Sequence, residues 1–311
     1  MADENCTHVT HFTFLGLTEH PQLKLLLFVL FLGIYVLTVL GNLGLITLIR
    51  LSPQLHTPMY FFLGCLSFLD ICYSSTITPK MLLDLPTTNK VISFPGCLTQ
   101  LYFFAVFGTA EVYLLAAMAY DRYVAISKPL LYEAAMSPGL CRSLVAGSYL
   151  VGLLNASVHT SALLRLSFCG PLVINHFYCD VTPLLAVTST DPRLNEGLVF
   201  VFVGFNLLAT NLFILTSYTC LVVAVGRMGS AGSRHKAFST CTSHLAAVFI
   251  LYVSAAFNYL QPTSPNLLEG KKIASIFYTI LIPVLNPMIY SLRNKEVKHA
   301  LSTLIRRKVC F

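Results

Sequence analysis

The chain has 311 residues, of which 56% are apolar and only 11% are charged, and its formal net charge is +7. Together with a mean hydropathy of +0.73, these values exclude a disordered chain, a disulfide-stabilised miniprotein and a coiled coil. The apolar residues fall in long blocks, which indicates a membrane protein with several spans. The positive charge does not by itself indicate a nucleic-acid partner, because the position of the basic residues decides what they bind.

Seven blocks are long enough to cross a bilayer, which takes about 20 mostly apolar residues. In chain order they cover residues 25–49, 57–79, 91–120, 143–164, 197–226, 237–268 and 273–292. Residues 1–24 show no cleavable signal peptide. Residues 293–311 carry apolar side chains at helical spacing among Lys and Arg, as in a helix that lies on the inner leaflet. We therefore predict an all-α membrane protein with an extracellular segment at 1–24, a seven-helix domain at 25–292, and a cytoplasmic amphipathic helix and tail at 293–311.

The charges in the loops predict the orientation of these helices. An extracellular N-terminus places 13 of the 20 Lys and Arg residues on the cytoplasmic side, as expected from the positive-inside rule. Asn5 begins the glycosylation sequon Asn5-Cys6-Thr7, which is used only on the lumenal side, although short sequons also occur by chance. A second sequon at Asn155 lies inside the fourth block, where no glycan could be added. We predict an extracellular N-terminus that is glycosylated at Asn5.

Short motifs at the ends of the blocks carry a resemblance to one receptor family. They are LHTPMYFFL (55–63), MAYDRYVAI (118–126), KPLLY (128–132), HFYCD (176–180), SY (217–218), KAFSTCTSHL (236–245) and NPMIYSLRN (286–294). In this order they resemble vertebrate odorant receptors of the rhodopsin-like G-protein-coupled class, and the tetrapod-type (class II) branch in particular. The resemblance covers essentially the whole chain. It implies a receptor, not an enzyme, in the plasma membrane of olfactory cilia, which binds a small volatile odorant and activates a stimulatory G protein to raise cAMP.

The resemblance also implies a role in activation for a set of residues near the cytoplasmic ends of the helices. Arg122 would be held by Asp121 at rest and would face the G protein on activation. The alternative is an ordinary charge pair at a helix end, which contributes little. The full set comprises Asp121, Arg122, Tyr123, Tyr218, Asn286, Pro287 and Tyr290.

Asp70 and Glu111 are the only acids inside the predicted spans, and a charge at membrane depth indicates a functional site. Both lie about half-way along their helices, and the family resemblance places them beside Asn42 and Asn286. Two close carboxylates cannot both stay ionised cheaply. Either one of them is protonated or a hard cation such as sodium lies between them. The alternative is a hydrogen-bonded pair without an ion, and we expect no other cofactor.

The cysteines add one disulfide, which the resemblance assigns to Cys97 and Cys179. Cys169 lacks its usual partner in this family, because Ser189 occupies that place. Cys169 is therefore either free or paired elsewhere, with Cys6 as a candidate. Cys310 is either palmitoylated or a terminal thiol without a role. We interpret His159 as a hydrogen-bonded packing residue rather than a metal ligand, and we predict no structural metal.

Helical phase predicts an apolar ligand pocket in the outer half of the bundle. An acid characteristic of amine receptors is replaced here by Phe104, and the seventh block has no deep Lys for a retinal Schiff base. The predicted lining is Phe104, Ala105, Gly108, Thr109, Val112, Phe202, Asn206, Ala255, Ala256, Tyr259, Ile276 and Thr279. Such a lining suits a small uncharged organic molecule, although its small residues would also fit ordinary helix packing.

Two other functions stay open from the sequence. One is a rhodopsin-like receptor for a lipid or steroid-like ligand outside the olfactory epithelium. The other is a solute transporter, which predicts paired repeats and broken helices at matching places in two halves of the chain. The sequence shows neither of these features.

Overall fold

The computed structural model of the chain describes residues 9–170, 172–226, 231–261, 267–292 and 295–309. For residues 231–241, 243, 290–292 and 307–309 it describes the backbone alone. The candidate glycosylation site Asn5, the Tyr290 side chain, and the thiols of Cys6 and Cys310 therefore lie outside the described residues.

Seven long helical segments form a bundle in the described part of the chain, in agreement with the predicted fold class. They are α1 (Pro21–Leu51), α2 (Pro58–Asp84), α3 (Phe94–Ser127), α5 (Pro138–Leu163), α7 (Arg193–Gly226), α8 (Ala231–Tyr259), and a composite helix in which a π-helical segment (Phe277–Leu281) joins α9 (Leu268–Ile276) to α10 (Ile282–Leu292). The short helices α4 (Tyr132–Ala135) and α6 (Val181–Leu185) lie in the connections, and the amphipathic helix α11 (Lys295–Val309) follows the bundle.

The surface of the bundle is apolar, as a lipid environment requires. Helices α1, α2, α3, α7 and the composite helix are each long and apolar enough to cross a membrane, and α8 contributes the apolar stretch His244–Tyr259. Helix α5 is less apolar because Ser, Asn and His residues interrupt its Leu and Val residues. On α1, Leu25, Leu26 and Leu40 are more than 60% exposed. Exposed apolar area of this extent is expected of a surface that faces lipid.

Helix α3 lies at the centre of the bundle and packs against α2, α5, α7 and α8. The contact with α5 is unusually close because Gly152 faces the α3 backbone. A Cβ atom on Gly152 would lie 2.5 Å from the carbonyl oxygen of Val106, so no other residue fits without a shift of the helices. Small residues bring membrane helices together in this way, and the close approach aligns the next turns of α3 and α5.

A three-stranded sheet covers the end of the bundle that carries the Cys97–Cys179 disulfide, which we call the disulfide end. The strand order is β2 (Val91–Ser93), β1 (His11–Phe14), β3 (Val173–Ile174); β1 is antiparallel to β2 and parallel to β3. Phe12 and Phe14 are buried beneath the sheet. The sequence did not predict these strands, and it was wrong to begin the third span at residue 91. Helix α3 begins at Phe94 because the Ser93 side chain caps it by accepting a hydrogen bond from the Gly96 amide.

Candidate functional site

A cavity of about 100 Å³ lies below the sheet, between α3, α5, α7 and α8. Aromatic rings close one side of it. Phe104 stacks on Tyr73 with ring centroids 5.5 Å apart, and it contacts Tyr178 at 5.1 Å and Tyr278 at 6.3 Å. The cavity is smaller than an engineered protein cavity of about 150 Å³ that binds benzene. It therefore suits a compact organic molecule.

The structure brings most of the predicted pocket residues together around this cavity. Those that line it are Phe104, Ala105, Gly108, Thr109, Val112, Asn206, Ala255 and Tyr259. The prediction agrees best on α3, because this helix is continuous from Phe94 to Ser127 and keeps one helical phase.

Four predicted residues do not line the cavity: Phe202, Ala256, Ile276 and Thr279. The Phe202 ring packs against His159 with centroids 5.8 Å apart, and its neighbour Val203 faces the cavity instead. The Thr279 hydroxyl donates to the Ser275 carbonyl at 2.7 Å, while Tyr278 lines the cavity. The π-helical segment turns a different side of the last span toward the cavity. A regular period of 3.6 residues per turn could not predict this change.

Sequence reasoning missed ten lining residues. They are Tyr73, Leu101, Asn155, His159, Asp180, Val181, Val203, Leu207, Leu251 and Tyr278. The His159 ring packs against Phe202 as interpreted, but its Nε2 atom is buried without a hydrogen-bond partner. A signal for α5 was present in the sequence, since Asn155 and His159 are polar residues four positions apart within an apolar block.

A buried polar cluster closes the cavity at the disulfide end. The Asp180 carboxylate accepts hydrogen bonds from the Tyr259 hydroxyl at 2.9 Å, the Tyr178 hydroxyl at 3.4 Å and the Val181 amide at 2.6 Å. Burial raises the pKa of Asp180 to about 6, although these hydrogen bonds lower it. Burial also lowers the pKa of the nearby His176 to about 3, so this imidazole stays neutral. The polar groups of this cluster are thus already hydrogen-bonded to one another, and a ligand would have to break such a bond to use them.

Asn206 is also engaged within the protein. Its Oδ1 atom accepts a hydrogen bond from the Tyr113 hydroxyl at 2.7 Å, and its Nδ2 atom donates to the Phe202 carbonyl at 2.7 Å. A ligand would have to replace one of these bonds in order to use Asn206. Thr109 accepts a hydrogen bond from Asn155 Nδ2 at 2.9 Å.

The predicted ion or proton site forms a cluster of buried oxygen atoms in the middle of the bundle. Asn286 Nδ2 donates to both oxygens of Asp70 at 3.1 Å, and Asn42 Nδ2 donates to the Pro283 carbonyl at 3.0 Å. Both carboxylate oxygens of Glu111, and the Oδ1 atoms of Asn42 and Asn286, are buried without a hydrogen-bond partner. With Glu111 ionised these atoms are all acceptors, so without a proton or a cation they cannot satisfy one another.

At the opposite end of the bundle, the structure corrects the expected contact between Arg122 and Asp121. These two described residues form no ion pair within 4 Å; the Asp121 carboxylate instead accepts a hydrogen bond from the Tyr132 hydroxyl at 2.7 Å. The reason is that the loop helix α4 brings Tyr132 against the end of α3. On the adjacent face, the Tyr218 hydroxyl and His244 Nδ1 lie 2.7 Å apart and connect α7 to α8.

Comparisons with known proteins agree with this architecture. A family model described as olfactory receptor matches residues 31–308. The chain is 52% identical to mouse (Mus musculus) olfactory receptor 5G9 over 311 residues, which cover 100% of the chain and 99% of that protein. It is 51% identical to human (Homo sapiens) olfactory receptor 8G1 over 308 residues, 99% of both chains. It is also 52% identical to mouse olfactory receptor 8A1 over 309 residues, which cover 99% of the chain and all of that receptor.

The chain belongs to the olfactory receptor family. It is therefore a multi-pass receptor of the plasma membrane and not an enzyme, and its ligands and partners are small odorants and G proteins. The transporter alternative is excluded by this membership.

The two predictions for the outer cysteines of this olfactory receptor have different outcomes. The predicted Cys97–Cys179 disulfide is present and ties the start of α3 to the loop before α6. Cys169 is also disulfide-bonded, so a free thiol at this position is excluded. Ser189, which stands where the usual partner would be, accepts a hydrogen bond from the Cys169 amide at 2.9 Å.

Proposed function

We propose that this olfactory receptor binds a small, uncharged, oxygenated odorant in the cavity and activates a stimulatory, olfactory-type G protein that raises cAMP. The observation that carries the proposal is the compact cavity of about 100 Å³, walled by Phe104 and its aromatic neighbours. Burial of apolar surface supplies the affinity of such a site, and a few polar groups supply the selectivity. A steroid-like ligand is disfavoured, because pockets for drug-sized ligands measure about 300–1,000 Å³.

Helices α7 and α8 connect the cavity with the end of the bundle that carries Arg122, where we place the G protein. Val203 and Asn206 of α7 and Ala255 and Tyr259 of α8 line the cavity. Further along the same helices, Tyr218 is hydrogen-bonded to His244. A ligand that packs between α7 and α8 therefore favours one relative position of the two helices, and this bias is how a ligand selects an activation state.

The proposal includes a location and an orientation. The distribution of Lys and Arg supports an extracellular N-terminus, with the cavity and its covering sheet on the extracellular side. Arg122 and helix α11 would then face the cytoplasm. We place the receptor in the cilia of olfactory neurons, where odorants arrive.

A cAMP reporter screen in cells tests the ligand class. We expect uncharged alcohols, ketones, aldehydes or esters to be the strongest agonists. Charged ligands are expected to be weaker, since the wall near Asp180 is already hydrogen-bonded and the α3 wall has no acid in contact with the cavity.

The rival ligand class is an amine, and the carboxylate of Asp180 in the cavity wall is the observation that favours it. An amine that proves the strongest agonist, and that loses its potency in Asp180→Asn, would overturn the proposed ligand class. A carboxylate or a pure hydrocarbon as the strongest agonist would overturn it as well.

We further propose that Asp70 and Glu111 hold a sodium ion or a proton between them. The unpartnered oxygens of Glu111, Asn42 and Asn286 support this, because oxygen atoms are the ligands that hard cations prefer. A bound cation would supply the positive charge that makes two buried carboxylates tolerable at membrane depth. Asn286 would hold Asp70 in position through its two hydrogen bonds.

Glu111→Gln and Asp70→Asn are expected to change the basal cAMP signal about threefold or more and to remove its dependence on sodium or pH. Each change replaces one of the two acids that share the site. Basal cAMP is measured in permeabilised cells over a series of sodium concentrations and pH values, and it is normalised to surface receptor. Glu133→Gln, which alters an exposed acid of α4, is the matched control. Wild-type behaviour of both buried variants across the series would contradict the ion-linked role.

A further inference from the structure

Two residues of α5 that line the cavity each carry a buried polar atom without a hydrogen-bond partner. Asn155 and His159 both line the cavity, and they are only 7% and 5% exposed. Asn155 Oδ1 and His159 Nε2 are buried and accept or donate no hydrogen bond. Buried polar atoms of this kind are uncommon and call for an explanation. In a cavity that takes ligands, the missing partner is a group of the ligand.

The orientation of both side chains is fixed by their neighbours. Asn155 Nδ2 donates to Thr109 Oγ1 at 2.9 Å, which leaves Oδ1 as the open acceptor. The ring of His159 packs edge-on against Phe202, with centroids 5.8 Å apart. One turn earlier, Gly152 lets α5 approach the α3 backbone, so the Asn155–Thr109 pair is brought together by the helix packing itself.

Four other polar residues of the cavity wall contrast with this pair. Asn206 is bonded to Tyr113 and to a backbone carbonyl. Tyr259 donates to Asp180, and the hydroxyls of Tyr178 and Tyr278 lie 2.9 Å apart. A ligand gains little from these groups, because each contact breaks an existing hydrogen bond. Asn206 and Tyr259, which the sequence predicted in the pocket lining, are therefore less available to a ligand than Asn155 and His159 of α5.

The chemistry of the two open atoms indicates the matching ligand group. An amide oxygen only accepts, so Asn155 Oδ1 requires a donor. A neutral imidazole can carry its proton on Nε2 and donate. Side chains four residues apart on a helix have Cβ atoms about 5–6 Å apart, so one small group can contact both. A hydroxyl fits, because it donates through its hydrogen and accepts through its oxygen.

We infer that Asn155 and His159 form a hydroxyl-binding subsite, so that the receptor prefers alcohols over ketones and hydrocarbons of the same carbon skeleton. The inference rests on the proposed function, because it places the odorant in the same cavity. A ketone can accept from His159 but leaves Asn155 Oδ1 unpaired. A hydrocarbon leaves both atoms unpaired, and a buried polar group without a partner is costly.

The test is a dose–response comparison of matched triplets, each an alcohol, a ketone and a hydrocarbon with one carbon skeleton, in the cAMP reporter assay. Wild-type receptor is expected to respond to the alcohol at a concentration at least tenfold lower than to the ketone. Asn155→Leu is expected to raise the half-maximal concentration for the alcohol about tenfold and to change that for the ketone much less. His159→Leu is expected to weaken both responses.

Two further variants separate ligand recognition from folding. His159→Gln restores an amide donor and is expected to recover most of the alcohol response. Ser161→Ala, on the exposed face of α5, is expected to leave the alcohol-to-ketone ratio unchanged. Surface receptor is measured by antibody labelling of intact cells for every variant.

Responses to ketones at the same concentrations as alcohols would overturn the subsite while leaving the proposed function, an uncharged oxygenated odorant, intact. An alcohol preference that survives Asn155→Leu and His159→Leu at normal surface level would overturn it equally. Failure of every uncharged compound, with charged ones active, would instead overturn the proposed function itself.

Discussion

Replacing Arg122 with alanine is expected to abolish the odorant-evoked cAMP response while surface delivery stays close to that of the unaltered receptor. Arg122 lies near the end of α3, at the face that family resemblance assigns to the G protein. The Asp121 carboxylate is bonded to Tyr132 rather than to Arg122. Removal of the guanidinium therefore leaves no buried carboxylate newly unpaired, and the fold is expected to tolerate the change.

The measurement compares the full agonist dose–response curve with surface receptor on the same cells. Arg142→Ala is the matched control, since it removes a basic side chain that is exposed on α5 at the same end of the bundle. The control is expected to respond normally. An undiminished response from Arg122→Ala would show that Arg122 is not required for G-protein coupling.

Cys97→Ser and Cys179→Ser are each expected to reduce surface delivery to near background. The bond they form closes a segment whose ends are 82 residues apart, and a crosslink of that span contributes about 4 kcal/mol to stability. It also fixes the loop that carries Asp180 in the cavity wall. The same loop is held to α3 by the Cys179 amide, which donates to Gln100 Oε1 at 2.9 Å. Surface delivery is measured by flow cytometry of intact, unpermeabilised cells.

Cys220→Ser is the control for loss of a thiol, because Cys220 is free and exposed on α7. Cys169→Ser is expected to be milder than either change at the Cys97–Cys179 bond, since Ser189 still holds the Cys169 backbone through two hydrogen bonds. Normal surface delivery of both Cys97→Ser and Cys179→Ser would contradict the structural role of this disulfide.

The sequence predicted the bundle because its signals are local and strong. Seven apolar blocks account for the long helices, and the ordered set of motifs from LHTPMYFFL to NPMIYSLRN indicates the family. The covering sheet gave no such signal. Its strands are two to four residues long, and β1 pairs with residues about 80 and 160 positions away. Pairing over such distances depends on the finished fold and leaves little trace in local periodicity.

The candidate cavity was predicted well where helices are regular. Phe104, Gly108 and Val112 follow one face of α3, and all three line the cavity. The prediction failed at Thr279, where the π-helical segment changes the phase. It also failed at Asn155 and His159, because a sequence does not show whether a polar side chain in a span finds a partner.

The position of β1 has a consequence for the order in which the receptor is synthesised. Thr13 and Phe14 pair with Val173 and Ile174, which emerge from the ribosome about 160 residues later. Until then β1 lacks a neighbour on that side, and an unpaired strand edge can associate with other chains. The first strand made is thus among the last to be completed. Completion of the sheet therefore waits until the segment before α6 has been made, even if the first helices of the bundle have already packed.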